Sequence, residues 1–96
     1  MAVHRNIDPY RNNLAYKECR RLVTLRDKNR CRIPGCKYRG KKLEMHHIST
    51  FAGTINLRYE PKNCLLLCKS HHRMVTGKES YYAPMLNSIV NGEYDK

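Results

Sequence analysis

The sequence predicts a small α+β domain. Three observations predict it: a helical period early in the chain, two short strand-like runs in its second half, and two closely spaced Cys/His pairs that frame them. The 96 residues suit one domain near the lower end of independent folding. With no Trp and one Phe, its apolar core is thin. Chains of this size commonly add disulfides or a metal to make up that deficit. Five Cys and five His make the option available.

Residues 1–13 read as an irregular basic arm, with Pro9 and the pair Asn12-Asn13 as turn or cap signals. Residues 14–96 form the single folded domain. From Leu14 to Arg26, Leu14, Ala15, Cys19, Leu22 and Val23 repeat at helical spacing. Lys17, Arg20, Arg21 and Thr24 lie opposite. The helix should stop at Asp27-Lys28-Asn29, and Cys19, on the apolar stripe, should be a small core residue. Pro34-Gly35 and Gly40 mark a tight loop over 31–42. A short strand runs from Leu43 to Ile48, and 49–62 is loop-like. Cys64-Leu65-Leu66-Leu67 fits a buried strand. A helix begins near Lys69 and fades at Thr76-Gly77. A further helix spans Tyr81 to Val90, with Pro84 in its first turn and Gly92 ending it. Tyr81 and Tyr82 are expected to pack rather than to stack on a ligand.

Charge narrows the partner. The formal net charge is +11, and Arg5, Arg11 and most other bases precede Glu44, opposed there only by Asp8, Glu18 and Asp27. Such a balance implies a polyanion, nucleic acid first. No apolar run approaches transmembrane length. Met1-Ala2-Val3-His4-Arg5-Asn6 lacks the apolar stretch of a signal peptide. The expectation is therefore an intracellular protein, not membrane-bound, whose thiols stay reduced and serve metal rather than disulfides.

The first ligand pair is Cys31-Arg32-Ile33-Pro34-Gly35-Cys36, whose Pro-Gly bend lets both thiolates face one centre. The second is Cys68-Lys69-Ser70-His71. Cys31, Cys36, Cys68 and His71 make a closed soft-donor set, the signature of structural Zn²⁺. Cys64 competes for the fourth place, although a packing role is simpler for it. The remaining histidines lie in Glu44-Met45-His46-His47-Ile48, on the strand, and at His72. Alternation sends His46 and His47 to opposite faces.

The ordered set His46-His47-Ile48, then Asn63, then Leu67-Cys68-Lys69-Ser70-His71-His72, with Cys31 and Cys36 before it, resembles the HNH endonuclease superfamily. This is the ββα-metal (His-Me finger) group, here most similar to small phage-encoded zinc-containing members. The motif core is about 31–78. The resemblance implies a metal-dependent endonuclease that hydrolyses DNA phosphodiester bonds by a one-metal mechanism. His47 corresponds to the general base, and His46 and His72 to ligands of a catalytic divalent ion (Mg²⁺, Mn²⁺, Ni²⁺ or Zn²⁺). Asn63 corresponds to the residue that braces the loop and helps orient the base. Cys31, Cys36, Cys68 and His71 correspond to the ligands of the structural zinc. The base and ligand roles of His46 and His47 could be exchanged. The chain departs from the family in lacking Pro after Ile48-Ser49 and in its long loop through Phe51–Tyr59. It also has His71 where many relatives have Cys.

The chemistry agrees with those roles, because His is the side chain poised to take a proton near neutral pH. Lys17, Arg20, Arg21 and Arg26 on the helix are expected to contact phosphates, as are Lys37, Arg39, Lys41 and Lys42 on the loop and Lys69 and Arg73 near the last motif. Nothing resembles a base-reading element, so low sequence specificity is expected. The partner would be double-stranded DNA, with phage packaging proteins as a second one and a phage-infected cytoplasm as the setting. Two other readings stand beside this one. One is a non-catalytic zinc-bound nucleic-acid-binding module, and the other a zinc-stabilised interaction protein.

Overall fold

A computed structural model describes residues 13–49 and 55–92. The arm expected over residues 1–12 lies outside them. Three helices and a two-stranded antiparallel sheet make a small α+β fold, in the order α1 (Leu14–Asp27), β1 (Glu44–His47), β2 (Cys64–Leu67), α2 (Lys69–Val75) and α3 (Glu79–Val90). Two single-turn 3₁₀ segments, Ile55–Leu57 and Pro61–Asn63, lie in the stretch expected to be loop.

Helix α1 starts where Asn13 accepts the Tyr16 N–H at 2.8 Å, a side-chain N-cap. It ends at Asp27, as expected, with Lys28 in the left-handed region at φ 57°. The Asn29 N–H then reaches back to the Thr24 carbonyl at 3.2 Å.

The buried face of α1 differs from the expected stripe. Cys19, Val23 and Asp27 are buried, whereas Ala15 is exposed and Leu14 and Leu22 remain 83% and 40% exposed. The cause is Asp27. Its carboxylate is buried against Arg32, pairs with Arg26 (Nε–Oδ1 2.7 Å), and accepts the Leu66 N–H at 2.9 Å. A carboxylate satisfied on all sides can sit in the core. It rotates α1 so that the residues one and two turns before it, Val23 and Cys19, follow it inward.

The sheet register pairs Glu44 with Leu67, Met45 with Leu66, His46 with Leu65 and His47 with Cys64. β1 is shorter than expected. Leu43 and Ile48 lie beyond the ladder, both buried, and the Ile48 N–H bonds the Asn63 carbonyl at 2.7 Å. The outer edge of β2 is covered. Its Leu66 N–H goes to Asp27, and its Leu66 carbonyl accepts the Arg32 N–H at 3.0 Å. An uncovered edge would leave unpaired backbone groups beside the core.

Leu65, Leu66 and Leu67 fill the core with Val75, Leu86 and Ile89 from α2 and α3. Cys19 and Cys64 also belong to it, their sulfurs 4.0 Å apart. Helix α3 begins at Glu79, two residues earlier than expected, which moves Pro84 from the first turn to the second. The helix continues past it with one backbone donor fewer. Tyr82 packs against the core, but Tyr81 is 77% exposed, contrary to expectation, with its ring edge-on to Tyr82.

Candidate metal and histidine sites

The stretch between α1 and β1 folds into a knuckle. The Cys36 N–H bonds the Ile33 carbonyl at 3.0 Å, closing a four-residue turn with Pro34 second and Gly35 third. Gly35 has φ +87°, the conformation the third position of a type II turn demands and Pro-Gly supplies. The turn folds Cys36 back toward Cys31. Cys68, the N-cap of α2, and His71, in its first turn, complete the group.

The ligand atoms of Cys31, Cys36, Cys68 and His71 all lie within 4.8 Å of one another. His71 Nδ1 is 3.5 Å from Cys31 Sγ and 3.2 Å from Cys68 Sγ. Donors around a tetrahedral zinc are spaced about 3.6 Å apart, from bond lengths of roughly 2.0–2.3 Å. The four residues therefore could hold a metal such as zinc. Cys64 takes no part, because its sulfur faces Cys19 in the core.

A second group lies where β1 meets α2. Neighbouring helical residues project about 100° apart, so His71 and His72 serve different surroundings. His72 faces His46, with ring centroids 5.4 Å apart and planes at 71°. His72 Nδ1 donates to Glu44 Oε1. Glu44 and His46 share a face of β1 because side chains alternate along a strand. His46 is buried, and its Nε2 has no hydrogen-bond partner among the described residues. Burial, and then the nearby His72, push the His46 pKa down to about 4, so its ring is neutral over the physiological range. Glu79 works in the opposite direction, and its own pKa is lowered by the Gly77 N–H it accepts at 3.0 Å.

His47, on the other face, donates from Nε2 to the Arg58 carbonyl at 2.8 Å. That bond fixes the proton on Nε2 and makes Nδ1 the basic atom of the neutral ring. Asn63 is buried beside this loop. Its Oδ1 accepts the Ser49 N–H at 2.9 Å, and its Nδ2 donates to the carbonyls of Ser49 (3.1 Å) and Leu57 (3.2 Å). Asn63 thus clamps the chain leaving β1 to the segment that presents the Arg58 carbonyl. It bears on His47 through that segment.

The bases divide into two kinds. Lys17, Lys37, Arg39, Lys41, Lys42, Lys69 and Arg73 are exposed. Arg21 is exposed but paired with Glu18 at 2.6 Å, and half-buried Arg20 reaches the Leu43 carbonyl at 3.4 Å. Arg26 is turned inward rather than presented on the basic face. It donates to the carbonyls of Pro61 (2.8 Å) and Cys64 (2.6 Å) as well as to Asp27. Arg32 is buried and ties Asp27 to the Ile89 carbonyl at 3.0 Å.

Two contributors escaped the sequence reading. Glu44 was legible in principle, since it stands two residues before His46 on the same strand face. The Arg58 carbonyl was not, because a backbone acceptor leaves no mark in residue type. Among the described residues no helix is long and apolar enough to cross a membrane. Comparison with protein-family models, with curated proteins and with solved structures gives no match.

Proposed function

We propose that the chain is an HNH-type, ββα-metal endonuclease that hydrolyses DNA phosphodiester bonds with low sequence specificity. The observation that carries this reading is the unpartnered, buried Nε2 of His46. It sits against His72, whose Nδ1 is held by a carboxylate. A buried imidazole nitrogen without a partner is costly unless something binds it. A histidine whose second ring nitrogen is held by a carboxylate is the usual form of a metal-ligating histidine. The low pKa of His46 suits a ligand that must be neutral to bind. On this reading β1, β2 and α2 make the ββα unit, and the knuckle holds structural Zn²⁺.

A divalent cation at His46 and His72 would supply positive charge to the phosphate and to the departing 3′ oxygen. His47 takes a proton from the attacking water at Nδ1, while its Nε2–H stays on the Arg58 carbonyl. The new bond forms between the water oxygen and phosphorus, the P–O3′ bond breaks, and the departing 3′ oxygen takes a proton from solvent water, leaving a 5′-phosphate and a 3′-hydroxyl. Asn63 keeps His47 at its station by holding Ser49 and Leu57 together. Lys69 and Arg73, exposed on α2, would hold flanking phosphates.

The test uses supercoiled plasmid with Mg²⁺, Mn²⁺ or Ni²⁺, beside a His47→Ala variant shown to retain zinc and fold. Nicked or linear product from wild type alone, lost with EDTA, is the expected result. Tight DNA binding with no cleavage under any metal would overturn the catalytic reading in favour of a binding module.

A further inference from the structure

The knuckle carries a second feature that neither the zinc cluster nor the histidine site uses. Arg30 and Arg39 face each other across an isolated antiparallel bridge. The Cys31 N–H bonds the Tyr38 carbonyl at 3.0 Å, which makes Arg30 and Arg39 the non-hydrogen-bonded pair of that bridge. This is the pairing in which opposite side chains come closest. Like charges directly opposite are destabilising there. Lys37, two residues before Arg39, adds a third cation beside them.

These three side chains and Cys36 line one cavity of about 290 Å³. No carboxylate lines it. Among the described residues none of the three cations has a side-chain hydrogen bond or ion pair, although all three are exposed. The other arginines of this region behave differently: Arg26 and Arg32 are both committed to Asp27. Two arginines held opposite each other by the bridge, with no internal partner among the described residues, offer chemistry that an anion would satisfy. Arg presents a planar fork of donors that matches phosphate oxygens.

We infer that Arg30, Arg39 and Lys37 form a phosphate clamp on the knuckle, which takes one backbone phosphate of duplex DNA at a fixed position. The clamp rests on the reading of DNA as partner but not on hydrolysis. Zinc at the knuckle would hold the bridge in register, and the clamp would therefore fail with the zinc site.

The experiment compares wild type, Arg30→Gln/Arg39→Gln and a control, Lys62→Gln/Lys78→Gln, which removes the same charge from exposed positions outside the knuckle. Binding to a fluorescent duplex is followed across salt concentrations without added divalent metal, with zinc content checked. A protein that does not cut DNA is thus still informative, and failure of the nuclease reading shows only in the plasmid assay. The Arg pair should weaken binding roughly tenfold and lower the salt slope by about 1, with the control changing both by less. Its thermal midpoint without DNA should be unchanged or higher, because a repulsion is removed. Equal losses in both double variants would overturn the clamp and show a diffuse basic field. In a second arm, pyrophosphate should raise the thermal midpoint of wild type but not of the Arg pair. That shift, with duplex binding unaltered in the Arg pair, would overturn DNA as the source and assign the phosphate to a small molecule.

Discussion

His72 Nδ1 is hydrogen-bonded to the carboxylate of Glu44, a residue from another element 28 positions earlier in the chain. The contact fixes the tautomer of His72 and turns its Nε2 outward as an acceptor. On the proposed endonuclease reading, Glu44 is a positioning residue for a metal at His46 and His72. Glu44→Gln should lower cleavage at limiting Mn²⁺ by roughly 10–100-fold, with partial recovery at saturating metal. A titration of rate against Mn²⁺ checks this, and an unchanged metal dependence would remove Glu44 from the site. Both partners are partly exposed, so urea unfolding should move by less than about 1 kcal/mol.

Asp27 holds α1, the knuckle and the edge of β2 together through Arg26, Arg32 and the Leu66 N–H. Breaking a buried ion pair from one side strands the other charge. Asp27→Asn should cost about 3–5 kcal/mol, a large part of a small domain's stability. Chemical denaturation provides the number, and a loss below about 1 kcal/mol would contradict this account of why α1 is rotated.

The Cys31, Cys36, Cys68 and His71 cluster joins the knuckle to the start of α2. Cys36→Ser, or a strong chelator, should leave a largely unfolded chain. Zinc contributes on the order of 10 kcal/mol to small domains of this kind. Circular dichroism alongside metal analysis tests it. Native helix content in a metal-free protein would show that the core suffices alone.

The histidine site sets a pH dependence. With its folded-state pKa pushed down to about 4 from an ordinary 6.5, His46 takes up its proton more readily when unfolded. Protonation therefore favours the unfolded chain. The contribution is fully present above pH 6.5 and is lost as pH falls toward about 4, on the order of 2–3 kcal/mol in all. His46→Gln lacks the titration. The stability difference between wild type and this variant should narrow between pH 7 and pH 5, measured by urea unfolding with zinc retained. A constant difference would contradict the burial of His46.

The sequence by itself determined the short-range features. Ligand spacing and the Pro34-Gly35 bend identified a set that could hold metal, because turn chemistry over six residues is local. The apolar run at 64–67 and the cap signals at Asn13 and 27–29 identified β2 and both ends of α1 for the same reason. The family resemblance, rather than spacing alone, implied that Asn63 braces the chain after β1, and its bonds to Ser49 and Leu57 do tie that segment. What only the tertiary structure decided is which groups meet across the fold. Helical periodicity placed Leu14 and Leu22 inward, yet a single satisfied carboxylate at Asp27 turned that face away. Arg26 read as a phosphate contact but, like Arg32, is spent on Asp27 and backbone carbonyls. Glu44 found His72, and the Arg58 carbonyl found His47, through packing of β1 against α2 and of a loop against β1. Periodicity records which residues prefer water. It does not record which buried polar group will find a partner, and that pairing set both the rotation of α1 and the orientation of the histidines.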